Sequence, residues 1–424
     1  MRDEKIGDRL LIEGGRRLEG EVRVHGAKNA VLPILAASLL SDGVCIIYDC
    51  PDLTDVHVAF DILQHLGCRV TYTDGTAVVD AAAVSGDTIP DRMMREMRSS
   101  IMFLGAIISK MHWAHISYPG GCELGARPID LHLRALEKLG VKVSEESGYI
   151  DCSLDKLHPV ALTLNFPSVG ATENVMLLTA VSDGTTTLSN AAREPEIVDL
   201  QNFLNAMGAD IRGAGTDTIK IHGVKKLHGC EYRIIPDRIV AATYACAAAA
   251  CGGEILLHNV IDEHLGIVLA LLDEIGCSIQ RVREGLWVQM SRRPKAAGMI
   301  RTLPYPGFPT DVQAQMMAVL CLANGTSVFS ETMFESRYKH VEALLRMGAD
   351  ITLDGRTAVV KGRERLSGAE VAAQDLRGGA ALVIAGLAAE GRSLVEGLHY
   401  IARGYASIDG DLRQLGARIY QGGR

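Results

Sequence analysis

Aromatic residues are scarce, with seven Phe and two Trp among 424 residues, so the hydrophobic cores must be built from Leu, Ile, Val, Met and Ala rather than from stacked rings. The ten cysteines include no CxxC pair and no Cys/His ladder, which leaves structural zinc and dithiol redox centres unsupported. Lys/Arg runs and basic-aromatic interleaving are also missing, and a formal charge of −8 argues against a nucleic-acid partner. No apolar stretch reaches the ~18 residues a membrane span needs. The opening Met1-Arg2-Asp3-Glu4-Lys5 is charged and leads into no apolar leader core, so the expectation is a cytoplasmic protein, neither exported nor membrane-bound. HExxH, the Walker loop, the GxSxG elbow and GxGxxG with an acidic partner are absent, so metal hydrolysis, P-loop chemistry and Rossmann cofactors have no support, and no metal is expected.

What the chain does contain is a sixfold repeat: an apolar residue, Gly, two variable residues, then Val or Ile. The glycines are Gly67, Gly140, Gly208, Gly276, Gly348 and Gly416, spaced 68 to 73 residues apart. Each closes an amphipathic run such as Glu196 to Leu204, so it reads as a left-handed helix terminator with a strand opening behind it. Upstream lies another strand, for example Val44-Cys45-Ile46-Ile47, and before that a more uniformly apolar helix, as in Asn29 to Leu40, Val240 to Ala250 and Val312 to Ala323. A helix apolar around most of its circumference must be enclosed by neighbours. The pattern therefore predicts helix-strand-helix-strand units packed around shared central helices, six units forming two globules; an open solenoid is the alternative.

Four constellations could carry chemistry. In Pro119-Gly120-Gly121-Cys122-Glu123-Leu124-Gly125-Ala126-Arg127, a glycine-rich loop presents the only cysteine outside an apolar pattern, and Arg127 precedes a helix start at Pro128 that could bind an anion and perturb the thiol; a bystander loop thiol is the alternative. Lys28 and Asn29 enter the first apolar helix, where a cation beside free backbone N–H groups could cradle phosphate, although a solvated Lys with an Asn cap explains them better on local grounds. Asp311 starts another apolar helix, as a catalytic carboxylate or as a cap. Arg98, Arg377 and Arg403 recur at corresponding places in other units; each alone reads as a surface arginine, and together they could build a pocket for a multiply charged anion.

Taken in order, Gly26-Ala27-Lys28-Asn29-Ala30, the Cys122 loop, Ala126-Arg127-Pro128-Ile129-Asp130-Leu131, Ser168-Val169-Gly170-Ala171-Thr172, Arg193-Glu194-Pro195-Glu196, Phe308-Pro309-Thr310-Asp311, Asp375-Leu376-Arg377 and Arg403-Gly404-Tyr405 resemble the enolpyruvyl transferase family, and the likeness covers essentially the whole chain. The resemblance is to the members that use UDP-N-acetylglucosamine. It implies an α/β fold of two inside-out α/β barrels, with six βαβαββ-type repeats, three per domain. One domain would span residues 28–235 and the other 1–27 plus 236–424, with the active site in the cleft between them. The implied activity moves the enolpyruvyl group of phosphoenolpyruvate to the 3-hydroxyl of UDP-N-acetylglucosamine by addition and elimination, the first committed step of peptidoglycan synthesis.

By the same resemblance, Cys122 would be the general acid, able to carry a covalent phosphoenolpyruvate adduct and to confer sensitivity to fosfomycin, and Asp311 would take the sugar proton. Lys28, Asn29, Arg127, Arg377 and Arg403 would hold phosphoenolpyruvate. Arg98, Arg127, Pro128, Ile129, Asp130, Leu131, Ser168, Val169, Gly170, Asp311 and Met333 would line the nucleotide-sugar site. No cofactor and no macromolecular partner are implied, and the chain would act as a monomer or weak homo-oligomer. Lys28 and Arg127 should lower the Cys122 pKa, whereas a general acid must keep its proton; arrival of the anionic substrate, with Glu123, would restore the thiol. Two features depart from the family pattern: Asn165-Phe166-Pro167 replaces a Lys that some relatives place before the Ser-Val-Gly motif, and Gly378-Gly379 replaces a commoner Ala, which should loosen that helix start. The competing readings are a catalytically idle UDP-sugar-binding paralog and, further behind, the sister enzyme acting on shikimate 3-phosphate.

Overall fold

The computed structural model describes residues 8–118 and 129–422, with the side chain of Arg98 outside that description. The chain forms two units: one gathers the residues up to His25 with those from Pro236 onward, and the other runs from Gly26 to Ile235 around the undescribed 119–128 segment.

Six helices occupy the cores: α1 (Lys28–Ser38), α2 (Phe103–Met111), α3 (Val169–Thr179), α4 (Arg238–Cys251), α5 (Thr310–Leu320) and α6 (Leu376–Ala388). Every residue of α5 beyond Asp311 is buried, and every residue of α6 beyond Leu376 up to Leu387. Such helices cannot face water on any side, so they pack on each other. In one unit α4, α5 and α6 touch pairwise, and in the other α2 contacts both α1 and α3. Their apolar side chains belong to two separate cores, one per unit. Each unit thus has helices inside and sheets outside, with the shared central helices the repeat predicts and the inside-out arrangement the family resemblance implies.

Around each set of helices lie three four-stranded sheets. The six repeat glycines all hold φ between 83° and 110°, the left-handed conformation that ends each outer helix and that a side chain would resist. The strand opening behind each of the first five glycines, such as Arg69–Thr73, pairs antiparallel with the strand that follows it, here Thr76–Asp80. A further strand adds a parallel partner in each sheet, and in two sheets that partner closes the chain on itself in a way the repeat did not announce. Glu231–Arg233 runs parallel to Val44–Tyr48, so the last strand of the Gly26 to Ile235 unit completes its first sheet. In the other unit Leu18–Arg23 pairs parallel with Gly253–His258, and Arg9–Glu13 lies between Arg392–Glu396 and Arg418–Gln421, the final strands of the chain. This pairing is why the N-terminal residues join the C-terminal unit. No described helix is long and apolar enough to cross a membrane.

A buried glycine fixes the packing of α2 against α3, and a buried carboxyl lies next to that contact. A Cβ at Gly105 would run into the backbone carbonyl oxygen of Asn174, so only glycine lets α2 approach α3 this closely. Gly105→Ala is expected to cost about 1–3 kcal/mol of stability through overpacking, read as a lowered Tm. One residue before Asn174, the carboxyl of Glu173 is raised to about 8 by burial, then by Glu196 and Glu194. The folded chain therefore keeps a proton that the unfolded chain releases, so this contribution to stability is fully present below pH 4.5 and is lost as pH rises through about 8. Thermal melts across that window should show Glu173→Gln losing less stability than the parent on the alkaline side; parallel curves would contradict the assignment.

Candidate active site

In the unit that contains α5, two buried guanidinium groups converge on one carboxylate. Asp311 sits in the first turn of α5, and its Oδ1 accepts from Arg337 at 2.7 Å while Oδ2 accepts from Arg377 at 3.1 Å. The arginine side chains are 3% and 6% exposed and that of Asp311 is 28% exposed, so the carboxylate is the part of the cluster that reaches solvent. Asp311 does not cap its helix: the N-cap is Pro309, without a side-chain bond. Burial alone would push the Arg377 guanidinium down, but Asp311, with Tyr405 and Asp237, outweighs it and holds the group above its ordinary value. Unpartnered polar atoms remain among the described residues: Nε of Arg337, one terminal nitrogen of Arg377 and both amide atoms of Gln313.

Arg377 is placed by its own helix start, where Asp375 caps α6 by accepting from the backbone N–H groups of Arg377 and Gly378, both at 2.9 Å. Gly378-Gly379 does not loosen this start. A Cβ at Gly378 would lie 3.1 Å from Cβ of His340, and one at Gly379 would lie 2.7 Å from Ile401, so both glycines permit close contact. Leu376 in turn fills the space beside Gly404, which brings the segment carrying half-buried Arg403 against the first turn of α6. His340, in the same packing, is pushed down to about 4 by burial, against the opposing pull of Asp375.

Met333 is positioned by a residue the sequence reading missed. The buried carboxylate of Glu331 accepts from the hydroxyls of Thr302 and Thr310, both at 2.9 Å, and from the backbone N–H groups of Met333 and Phe334 at 2.8 and 3.1 Å. Four donors satisfy one buried anion and tie the Met333 turn to the head of α5.

The Gly26 to Ile235 unit carries the other expected residues. Lys28 is neither solvated nor beside an Asn cap: Ala27 is the N-cap, and the Lys28 ammonium, 8% exposed, pairs at 2.7 Å with the buried Asp55 carboxylate. Asn29 follows it in the first turn of α1. Ser168 caps α3 by accepting from Ala171 N at 3.3 Å, which places Val169 and Gly170 in its first turn. His132, on the helix Asp130–Lys138, lies against Gly170, where a Cβ would come within 2.7 Å of its ring. Asn174 joins these pieces: its amide nitrogen meets His132 Nδ1 at 2.8 Å and donates to the Ile101 carbonyl at 3.1 Å, and its oxygen accepts from Gly105 N at 2.6 Å.

The first-turn residues Ile129, Asp130 and Leu131, together with Ser168, Val169 and Gly170, are therefore brought to one place, beside the short 3-10 turn Arg98–Met102 that Arg98 begins. Neither Asn174 nor His132 was singled out in the sequence; the signal was a run of polar residues, Thr172-Glu173-Asn174, inside an apolar helix. A surface groove next to them is lined by Leu131, Arg134, Lys138 and Asn165, which puts two cations close to Asn165. Cys122, Arg127 and Pro128 lie outside the described residues. No group of three or more His, Cys, Asp or Glu suited to a metal ion occurs among the described residues.

Known proteins match this sequence along nearly its full length. Residues 12–412 match the family model described as EPSP synthase (3-phosphoshikimate 1-carboxyvinyltransferase). The chain is 54% identical over 411 residues to UDP-N-acetylglucosamine 1-carboxyvinyltransferase 2 of Caldanaerobacter subterraneus subsp. tengcongensis, covering 97% of this chain and 99% of the relative. It is 49% identical to UDP-N-acetylglucosamine 1-carboxyvinyltransferase 1 of Symbiobacterium thermophilum, covering 98% and 95%. Among solved structures, the enolpyruvyl transferase NikO from Streptomyces tendae superposes with a TM-score of 0.89 at 27% identity, covering 99% of this chain and all of that one. EPSP synthase from Acinetobacter baumannii, at 18% identity, TM-score 0.76 and coverage of 97% and 99%, shares the fold. With a family model spanning nearly its full length and relatives near half identity, the chain belongs to the enolpyruvyl (1-carboxyvinyl) transferase family.

Proposed function

We propose that this protein transfers the enolpyruvyl group of phosphoenolpyruvate to the 3-hydroxyl of UDP-N-acetylglucosamine and releases phosphate. The observation that carries the reading is the 54% identity, across almost all of both chains, to a UDP-N-acetylglucosamine 1-carboxyvinyltransferase. A carboxylate fixed by two buried guanidinium groups at a helix start supports it, because the reaction needs a base held in one orientation near anionic substrates.

In this reading phosphoenolpyruvate gains a proton on its methylene carbon from Cys122, and the sugar hydroxyl attacks the cationic carbon that results as Asp311 takes its proton. The tetrahedral adduct then expels phosphate and loses a methyl proton to give the enol ether. Lys28, Asn29, Arg127, Arg377 and Arg403 hold the phosphate and carboxylate of phosphoenolpyruvate. Arg98, with residues 127–131 and 168–170, Asp311 and Met333, receives the nucleotide sugar. Arg337 acts through Asp311 as a positioning residue, since it donates to that carboxylate and to the Thr310 carbonyl together. Cys122 carries the covalent phosphoenolpyruvate adduct when one forms, and no cofactor or metal is required. The protein works in the cytoplasm as a monomer or weak homo-oligomer.

Phosphate release from phosphoenolpyruvate should depend on UDP-N-acetylglucosamine and not on shikimate 3-phosphate, with Cys122→Asp retaining activity that Cys122→Ala loses. Binding of the nucleotide sugar without any phosphate release would make the chain an idle binding module. Asp311→Asn should lower kcat by about 10²–10⁴-fold, because the amide cannot take the proton. It also removes the negative charge and one of the two acceptor oxygens, so Asp311→Asn should lose some stability and Asp311→Ala more, about 3–5 kcal/mol in denaturant titrations, since each leaves two buried guanidinium groups without their counter-ion.

A further inference from the structure

Nine cysteines fall among the described residues, all with free thiols, and two of them face each other. The parallel pairing of Glu231 with Ile46 and Tyr232 with Ile47 continues one residue back, where Ile46 N donates to the Cys230 carbonyl at 2.8 Å, so Cys230 stands opposite Cys45 on the ladder. Both point inward: Cys45 is buried with Ile47, and Cys230 shares the face of Tyr232 and is the more exposed of the two. One step further, Gly229 lets the backbones close up, since a Cβ there would lie 2.7 Å from Val44 N. Neighbouring strands run about 4.7–4.9 Å apart, inside the roughly 4.4–6.8 Å Cα separation that a disulfide spans.

We propose that Cys45 and Cys230 form a redox modification site at which a small peroxide-class oxidant closes a reversible disulfide between these strands. Cys45 differs from the other described cysteines in a way that fits the geometry. Burial pushes Cys50, Cys68, Cys152 and Cys321 up to about 12, whereas the hydrogen bond with Cys230 draws Cys45 down to about 6 against burial, and the same bond raises Cys230. In the reaction one sulfur takes an oxygen from hydrogen peroxide as the O–O bond breaks and water leaves. The second sulfur then displaces hydroxide from that sulfenic acid, which departs as a second water once the remaining thiol proton is transferred. Two thiols lose two hydrogens and two electrons, and one peroxide becomes two waters. Cys230 is only partly buried and adjoins an edge strand, so a dithiol can reach the bond and reduce it. Its effect is to fasten the edge strand that ends the Gly26 to Ile235 unit onto the strand that opens it. This inference does not depend on the enolpyruvyl reading.

The test is a peptide map of the full chain after hydrogen peroxide treatment, alkylation and digestion without reductant. The expected result is a linked peptide pair containing Cys45 and Cys230, lighter by two hydrogens, abolished by dithiothreitol and accompanied by a higher Tm than that of the untreated protein. In Cys230→Ser both the linked pair and the Tm rise should vanish; if that variant does not fold, the map of the unmodified chain decides alone. Recovery of Cys45 and Cys230 as alkylated free thiols, at peroxide doses that oxidise other cysteines of the chain, would overturn the proposal.

Discussion

The feature on which the site depends is a charge pair that cannot relax into water. α5 and α6 are buried along nearly their full lengths, so polar chemistry can emerge only at their first turns. There Asp311 meets Arg337 and Arg377, and each guanidinium is too deeply buried to be solvated instead. Taking such ions out of water is unfavourable unless the geometry is good and further hydrogen bonds are made. The arrangement meets part of that demand: the Thr310 carbonyl also accepts from Arg337, and the Asp375 cap fixes the helix turn that carries Arg377, while one nitrogen of each guanidinium stays unpartnered among the described residues. What results is a carboxylate whose orientation is set before any substrate arrives, which is the form of preorganisation that lowers the reorganisation cost of proton transfer and charge stabilisation.

The same logic recurs with different residues elsewhere in the chain. Glu331 anchors the Met333 turn through four donors, Asn174 ties three segments of the other unit together, and Lys28 is locked on Asp55. Each is a buried polar group that is satisfied by specific partners; Lys28 sits at the head of α1, Glu331 bonds the head of α5 through Thr310, and Asn174 lies midway along α3. Helix starts leave backbone N–H groups unsatisfied, so a fold that brings six buried helices to their ends has ready-made positions for anionic ligands and for the side chains that hold them.

Much of this was legible in the sequence, for physical reasons that particular residues show. The repeat glycines announced themselves because a left-handed helix end leaves few alternatives, and all six hold that conformation. The central helices were visible because they are apolar on every face, and Asp311 and Arg377 stood out as charges at their starts. The pairing of Arg9–Glu13 with strands at the far end of the chain was not legible, since a short strand carries no label for its partner. Arg337 was missed because it lies in the polar stretch Glu335-Ser336-Arg337-Tyr338-Lys339, which reads as surface until the fold buries it. Lys28 looked solvated for the converse reason: Asp55, its partner, is distant in sequence and sits on another helix.

If Asp311 and Arg377 act as one unit, their contributions to turnover must not be independent. A double-mutant cycle on kcat, using Asp311→Asn, Arg377→Lys and the combination, measures this directly. The ion cluster described here predicts that the double variant is about as slow as the slower single one. Losses that simply multiply would mean that the two residues work separately, and would contradict the account.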